Sequence, residues 1–217
     1  MDHTQKAVHL CGETLQESHH ICAFFSTSDE RYRVLMPFIR EGMEQGDKAF
    51  HIVNPSLRSH HTQRITEAGI DIARAEAGGQ LEILGWDDTT LRGGRFNQSA
   101  MLSLLRATFD KGRNQGFPLT RLISDMEWVL NDPEAVDRLL EFECRANLVI
   151  PKDKDVVICA YDLDKFSAAI VIDALRTHPM VIIGKVAQHN PFFVPPEELL
   201  KELHEGESLE TGRSAQA

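Results

Sequence analysis

His20–Asn54, HICAFFSTSDERYRVLMPFIREGMEQGDKAFHIVN, decides the fold class. An apolar run, Ile21–Phe25, meets a polar turn, Ser26–Asp29. An amphipathic stretch follows with apolar residues at Val34, Leu35, Phe38, Ile39 and Met43. Gly46 then stops it before a second apolar run, Ala49–Val53. This order predicts strand, tight loop, helix, strand, the opening unit of a doubly wound α/β fold. Nucleoside-triphosphate enzymes place a glycine-rich loop ending in Lys and Ser/Thr at this point. Here the turn reads STSDERY, with no glycine for close backbone approach and no lysine. Asp29 and Glu30 stand where a polyphosphate would sit, and like charges oppose it. The scaffold is kept and ATP binding is not expected.

The rest of the chain continues the alternation. Helices are predicted over Pro55–Gly69, Asn97–Arg113, Ala135–Leu148, Asp164–Arg176 and Pro195–Glu205. The fourth position of the pattern is set by Asp132-Pro133-Glu134, a cap followed by a first-turn proline. Strands are predicted over Leu81–Trp86, Thr120–Met126, Val156–Tyr161 and Met180–Val186. Val156–Tyr161 is nearly all apolar, as in a parallel strand covered on both faces. The expected architecture is a single α/β domain with a mainly parallel central sheet flanked by helices. Residues 1–18 read as an N-terminal extension and 206–217 as a mobile tail without apolar periodicity.

At 217 residues and 42% hydrophobic content, one sizeable core is available. The net charge of −10 argues against direct nucleic-acid binding, which needs a basic surface. No apolar run is long enough for a membrane span, and the N-terminus lacks a signal-peptide core. A cytoplasmic location follows as an expectation. The four scattered cysteines, Cys11, Cys22, Cys144 and Cys159, read as free thiols in a reducing compartment.

Ligands of open α/β sheets lie beyond the carboxyl ends of the strands. Phe25, Trp86, Asp125, Glu127, Trp128 and Tyr161 fall at or near those ends. Aromatics with a few polar groups suggest a small-molecule pocket, against the alternative that the tryptophans cap the core. RLISDMEW (Arg121–Trp128) rises to Asp125 as a strand bearing a magnesium-binding carboxylate would, with turn capping as the plainer reading. His20 and Cys22 share a strand face while His19 points away, so a metal or redox site would need Cys159 or Cys144 as well. His60-His61 reads as solvated on an exposed helix, and His178 as an imidazolium at a helix C-terminus. Arg92-Gly93-Gly94-Arg95 reads as a flexible loop.

HICAFF, PFIREGMEQGDKAFHIV, DMEWVL, FECRAN, ICAYDLDKF, HPMVIIG and NPFFVPPEE, in this order from His20 to Glu198, resemble the MEDS sensory domain of methanogens, methylotrophs and the dichloromethane-dehalogenase regulator. The resemblance implies a RecA/KaiC-like fold without a working phosphate loop. It also implies a sensor of small hydrocarbon derivatives, attached to histidine kinases or helix-turn-helix domains. The flanks here are too short for either. The output is therefore expected through self-association or a protein effector such as a histidine kinase or regulator. A divergent nucleotide-binding enzyme and a metal or redox sensor built on His20, Cys22 and Cys159 are the competing readings.

Overall fold

A computed structural model describes residues 7–15, 19–151 and 155–214, with side chains up to 205. A seven-stranded sheet forms the centre, in the order β5-β4-β6-β7-β3-β8-β9. Its strands are β3 (His19–Phe25), β4 (Lys48–Val53), β5 (Leu81–Gly85), β6 (Thr120–Asp125), β7 (Val156–Asp162), β8 (Met180–Ile183) and β9 (Val186–His189). All neighbours are parallel except β8 and β9. The expected Met180–Val186 strand is thus two strands, because Gly184 adopts φ +62 and turns the chain back on itself.

Both sheet faces are covered. On one lie α1 (Ser28–Gln45), α2 (Arg58–Glu67) and α3 (Ile72–Ala77), packed over Ile21, Ala23, Phe25 and their neighbours. On the other lie α4 (Gln98–Asn114), α5 (Pro133–Val149) and α6 (Ala168–Thr177), over Cys22, Phe24, Val157, Cys159 and Tyr161. α7 (Pro196–Ser214) packs against α5. Each helix start has a side-chain cap where the sequence offered one. Asn97 accepts from Ala100 N–H, and Asp132 accepts from Glu134 N–H. Gly46, at φ 84, ends α1 as a left-handed cap.

Several expected boundaries shift for local reasons. Pro55–Leu57 is a 3-10 turn capped by Asn54, and α2 follows it. α3 replaces what the periodicity left unassigned. α6 starts only after Ser167, because Asp162 and Asp164 form a turn first. The N-terminal extension contains a hairpin, β1 (Val8–Leu10) and β2 (Glu13–Leu15), with buried Val8 and Leu10 lying against α1. Helix α7 continues to Ser214, so the tail expected from residue 206 is helical there; residues 215–217 lie outside the described residues. Among the described residues no helix is long and apolar enough to cross a membrane.

Buried charge at the opposite end of the strands is paired. Lys48 Nζ donates to Gly79 O at 2.7 Å and pairs with Glu82 at 2.6 Å. Arg121 pairs with Asp47 at 2.8 Å and Glu41 at 2.9 Å, and it donates to Phe38 O. These networks fix the amino ends of β4 and β6, leaving the carboxyl ends as the free rim.

Candidate functional site

The rim is built on the β3–α1 turn. Thr27 Oγ1 accepts from Glu30 N–H at 3.1 Å, and the Glu30 carboxylate accepts from Ser26 N–H at 2.8 Å. This reciprocal capping occupies backbone donors that a phosphate would otherwise use. Asp125 pairs with Arg31 at 3.1 Å and also accepts from Glu127 N–H, so it caps the turn after β6. Glu127 pairs with Lys165 at 2.7 Å and accepts from Asn54 Nδ2 at 3.3 Å. Every acidic group raised as a candidate at the rim is therefore paired within the chain. Between them lies a hollow of about 90 Å³, bordered by Phe25, Arg31, Leu57, Asp125, Glu127 and Tyr161.

The structure thus brings Phe25, Asp125, Glu127 and Tyr161 to one hollow, though the Tyr161 hydroxyl turns away to donate to Glu143 Oε1 at 3.4 Å. The tryptophans are elsewhere. Trp128 is fully buried, 4.8 Å from the Phe96 ring and 6.1 Å from that of Phe142. The 3-10 turn Met126–Asn131 begins as soon as β6 ends and carries Trp128, expected just beyond the strand's carboxyl end, into the helix-side core. Trp86 packs half-buried against the same helix-side core. Arg92-Gly93-Gly94-Arg95 is an exposed turn with both glycines at positive φ.

Two histidine assignments change. His61 is buried, not solvated: its Nδ1 meets Tyr32 Oη at 2.9 Å and its Nε2 meets His51 Nδ1 at 3.0 Å. Burial first, then the Arg31 charge, lowers His51 to about 3. Burial, then His51, Arg31 and His60, lowers His61 to about 2. His178 does sit at a helix C-terminus, with Nδ1 2.7 Å from Ala174 O. It is nevertheless fully buried, and burial, reinforced by His20, holds it neutral rather than as an imidazolium.

His178 belongs to a second polar centre inside the helix-side core. His20 Nε2 lies 3.4 Å from Cys159 Sγ and 3.3 Å from Glu143 Oε2, and His178 Nε2 lies 3.6 Å from the same carboxylate oxygen. The His20 and His178 rings are 4.0 Å apart. Of the group suggested from sequence, Cys22 is not a member: its thiol donates to Met180 O at 3.6 Å. Glu143 and His178 take its place. Glu143 could have been suspected, since it shares the α5 stripe with Leu139 and Ala146 at helical spacing. Burial, reinforced by Glu143, raises the Cys159 thiol and the Tyr161 phenol well above their ordinary ranges. Among the described residues all four cysteines are unbridged.

The model of the MEthanogen/methylotroph, DcmR Sensory domain family matches residues 19–179. The chain belongs to this MEDS family. It is 27% identical over 170 residues to the transcriptional repressor DcmR of Methylorubrum extorquens, covering 78% of this chain and 61% of the repressor. The chain thus spans less than two thirds of that relative. Among solved structures, an uncharacterised Pyrococcus horikoshii protein in complex with an unknown peptide matches with a TM-score of 0.62 at 11% identity, over 78% of each chain. A KaiC-like protein of the same organism matches with a TM-score of 0.54 at 14% identity, over 76% of this chain and 69% of its own. These likenesses establish the RecA/KaiC-like α/β fold expected from the opening unit.

Proposed function

We propose that this MEDS protein is a non-enzymatic sensor that takes a small organic molecule in the strand-end hollow and signals through protein contact. The observation that carries this reading is the state of the rim. The fold's ligand position is retained as a hollow, while its phosphate grip is replaced by Arg31–Asp125 and Lys165–Glu127 pairs and a self-capped helix start. Such a site suits a compact ligand with an apolar part against Phe25 and Leu57, and one polar group able to exchange with these pairs. Hydrocarbon derivatives, the class implied by the family resemblance, have this form. Membership of a sensory-domain family and similarity to a repressor support the regulatory role.

The signal would pass to a second copy or to a protein effector, and not to DNA by this chain itself, given its net charge of −10. α7 is one route for it. It is held by buried Leu199, by the Cys144 thiol donating to Pro196 O and by the Arg176–Glu202 pair.

Calorimetric titration tests the assignment against a nucleotide enzyme. Mg-ATP should give no heat of binding in the micromolar range, whereas chloromethanes, formate and methylamines, screened by thermal shift, should include a stabilising ligand. That stabilisation should be lost in Lys165→Ala. Micromolar Mg-ATP affinity with hydrolysis abolished by Asp125→Ala would replace this reading with the enzymatic one.

A further inference from the structure

We infer that His20, Glu143, Cys159 and His178 form a binding site for a borderline-soft divalent transition ion, with Zn²⁺ the best fit. This goes beyond the sensor reading and does not depend on the strand-end hollow. The four donors come from four elements: β3, α5, β7 and the turn between α6 and β8. Their ligand atoms all lie within 4.8 Å of one another, and all four residues are buried. With bonds of about 2.0–2.3 Å, a tetrahedral zinc site spaces its donor atoms about 3.3–3.6 Å apart. The separations of 3.3, 3.4 and 3.6 Å fall in that range, and Cys159 Sγ to Glu143 Oε2, at 4.0 Å, needs only a small contraction.

The surrounding hydrogen bonds aim the lone pairs inward. Asn147 Nδ2 donates to Glu143 O and to Thr177 O, which leaves Asn147 Oδ1 as an acceptor. His20 Nδ1, 3.2 Å from that oxygen, is therefore the protonated nitrogen. His178 Nδ1 faces Ala174 O, which can only accept, so it too carries the proton. Both Nε2 atoms are thereby turned on the cluster as acceptors, and a second nitrogen held by a carbonyl or amide is the usual support of a metal-bound imidazole. His178 Nε2 is fully buried with no hydrogen-bond partner, an orphan that a metal bond would satisfy. Glu143 is 1% exposed, and among the described residues no lysine or arginine pairs with it. A carboxylate at such a depth calls for a cation beside it. One thiolate and one carboxylate would neutralise a divalent ion, and mixed thiolate–imidazole donors select zinc-like ions over calcium or magnesium.

Loading would release the Cys159 thiol proton to solvent as the Sγ–metal bond forms, with no change of oxidation state. The cluster also forms one wall of a small apolar cavity of about 20 Å³, lined by His20, Glu143 and Cys159 and by Trp128 and Phe142. That volume admits one water-sized molecule.

Metal analysis of the purified full chain should find about one zinc per chain. The chelated protein, tested folded and after refolding with metal present, should take up Co²⁺ with the visible bands of a tetrahedral site and a thiolate-to-cobalt charge-transfer band. Cys159→Ser should abolish the charge-transfer band and weaken binding, while Cys22→Ser should leave both intact. Asn147→Leu, which touches no metal atom, should lower affinity by about 10–100-fold. Circular dichroism would show whether each variant is folded. Should Cys159→Ser not fold, the cobalt spectra of wild type and of Cys11→Ser, Cys22→Ser and Cys144→Ser decide together, because the charge-transfer band requires a cysteine ligand and a band kept in all three variants leaves Cys159 as that ligand. Failure of the wild-type chain to bind Zn²⁺ or Co²⁺ in either preparation would overturn the inference. Loss of the band in Cys22→Ser but not in Cys159→Ser would overturn it equally.

Discussion

The buried pair His51 and His61 should make the fold acid-sensitive well above the range where carboxylates titrate. Tyr32 Oη closes the chain on one side, and Arg31 and His60 are the nearby cationic or titratable groups. In the unfolded chain both histidines regain an ordinary value of 6.5, against about 3 and about 2 in the fold. The unfolded state thus binds more protons throughout the window from 6.5 down to about 3. Their stabilising contribution is complete above 6.5 and is lost as pH falls through that window. Between about pH 7 and about pH 5, each histidine should remove about 2 kcal/mol, or about 4 kcal/mol for the pair. Urea unfolding of wild type and of the His51→Gln/His61→Gln variant at both pH values isolates this, since other titrating groups cancel in the difference. The variant should be less stable at neutral pH and lose much less on acidification. Equal losses in the two proteins would refute the reasoning, because the pair would then titrate alike in folded and unfolded chains.

Trp128→Ala should lower stability by about 3–5 kcal/mol in denaturant unfolding, through loss of a fully buried ring packed on Phe96 and Phe142. Gly42→Ala should cost about 1–3 kcal/mol, because the new Cβ would lie 2.6 Å from Arg121 Cδ, and the Arg121 pairs with Asp47 and Glu41 resist displacement. Gly112→Ala should act similarly in the same assay through Thr120 Oγ1, 2.5 Å from the added methyl. Electrophoretic shift assays at about 150 mM salt should show no sequence-specific DNA complex of the isolated chain at nanomolar concentration.

Much of the fold is decided by local signals. The apolar runs of β3, β4 and β7, the stripe of α1, the Gly46 stop, and the Asn97 and Asp132 caps lie within a few residues of what they control. Their spacing in sequence is therefore enough to read them. The missing phosphate loop is legible for the same reason: Ser26–Arg31 carries its own chemistry, and its capping by Thr27 and Glu30 is completed within the turn. The sequence was misleading where a residue's surroundings come from far along the chain. His61 looked solvated until α2 docked it on Tyr32 and His51, and Trp128 looked like a rim residue until a 3-10 turn rotated it into the core. The buried cluster is the extreme case. Cys159 lies 139 residues from His20, and they meet because in-register β3–β7 pairing places both on one sheet face. Glu143 and His178 join them only when α5 and α6 pack down on that face. Strand register and helix docking are set by the summed burial of the whole core, so the sequence could group His20 with Cys159, and only the tertiary structure removed Cys22 and brought in Glu143 and His178.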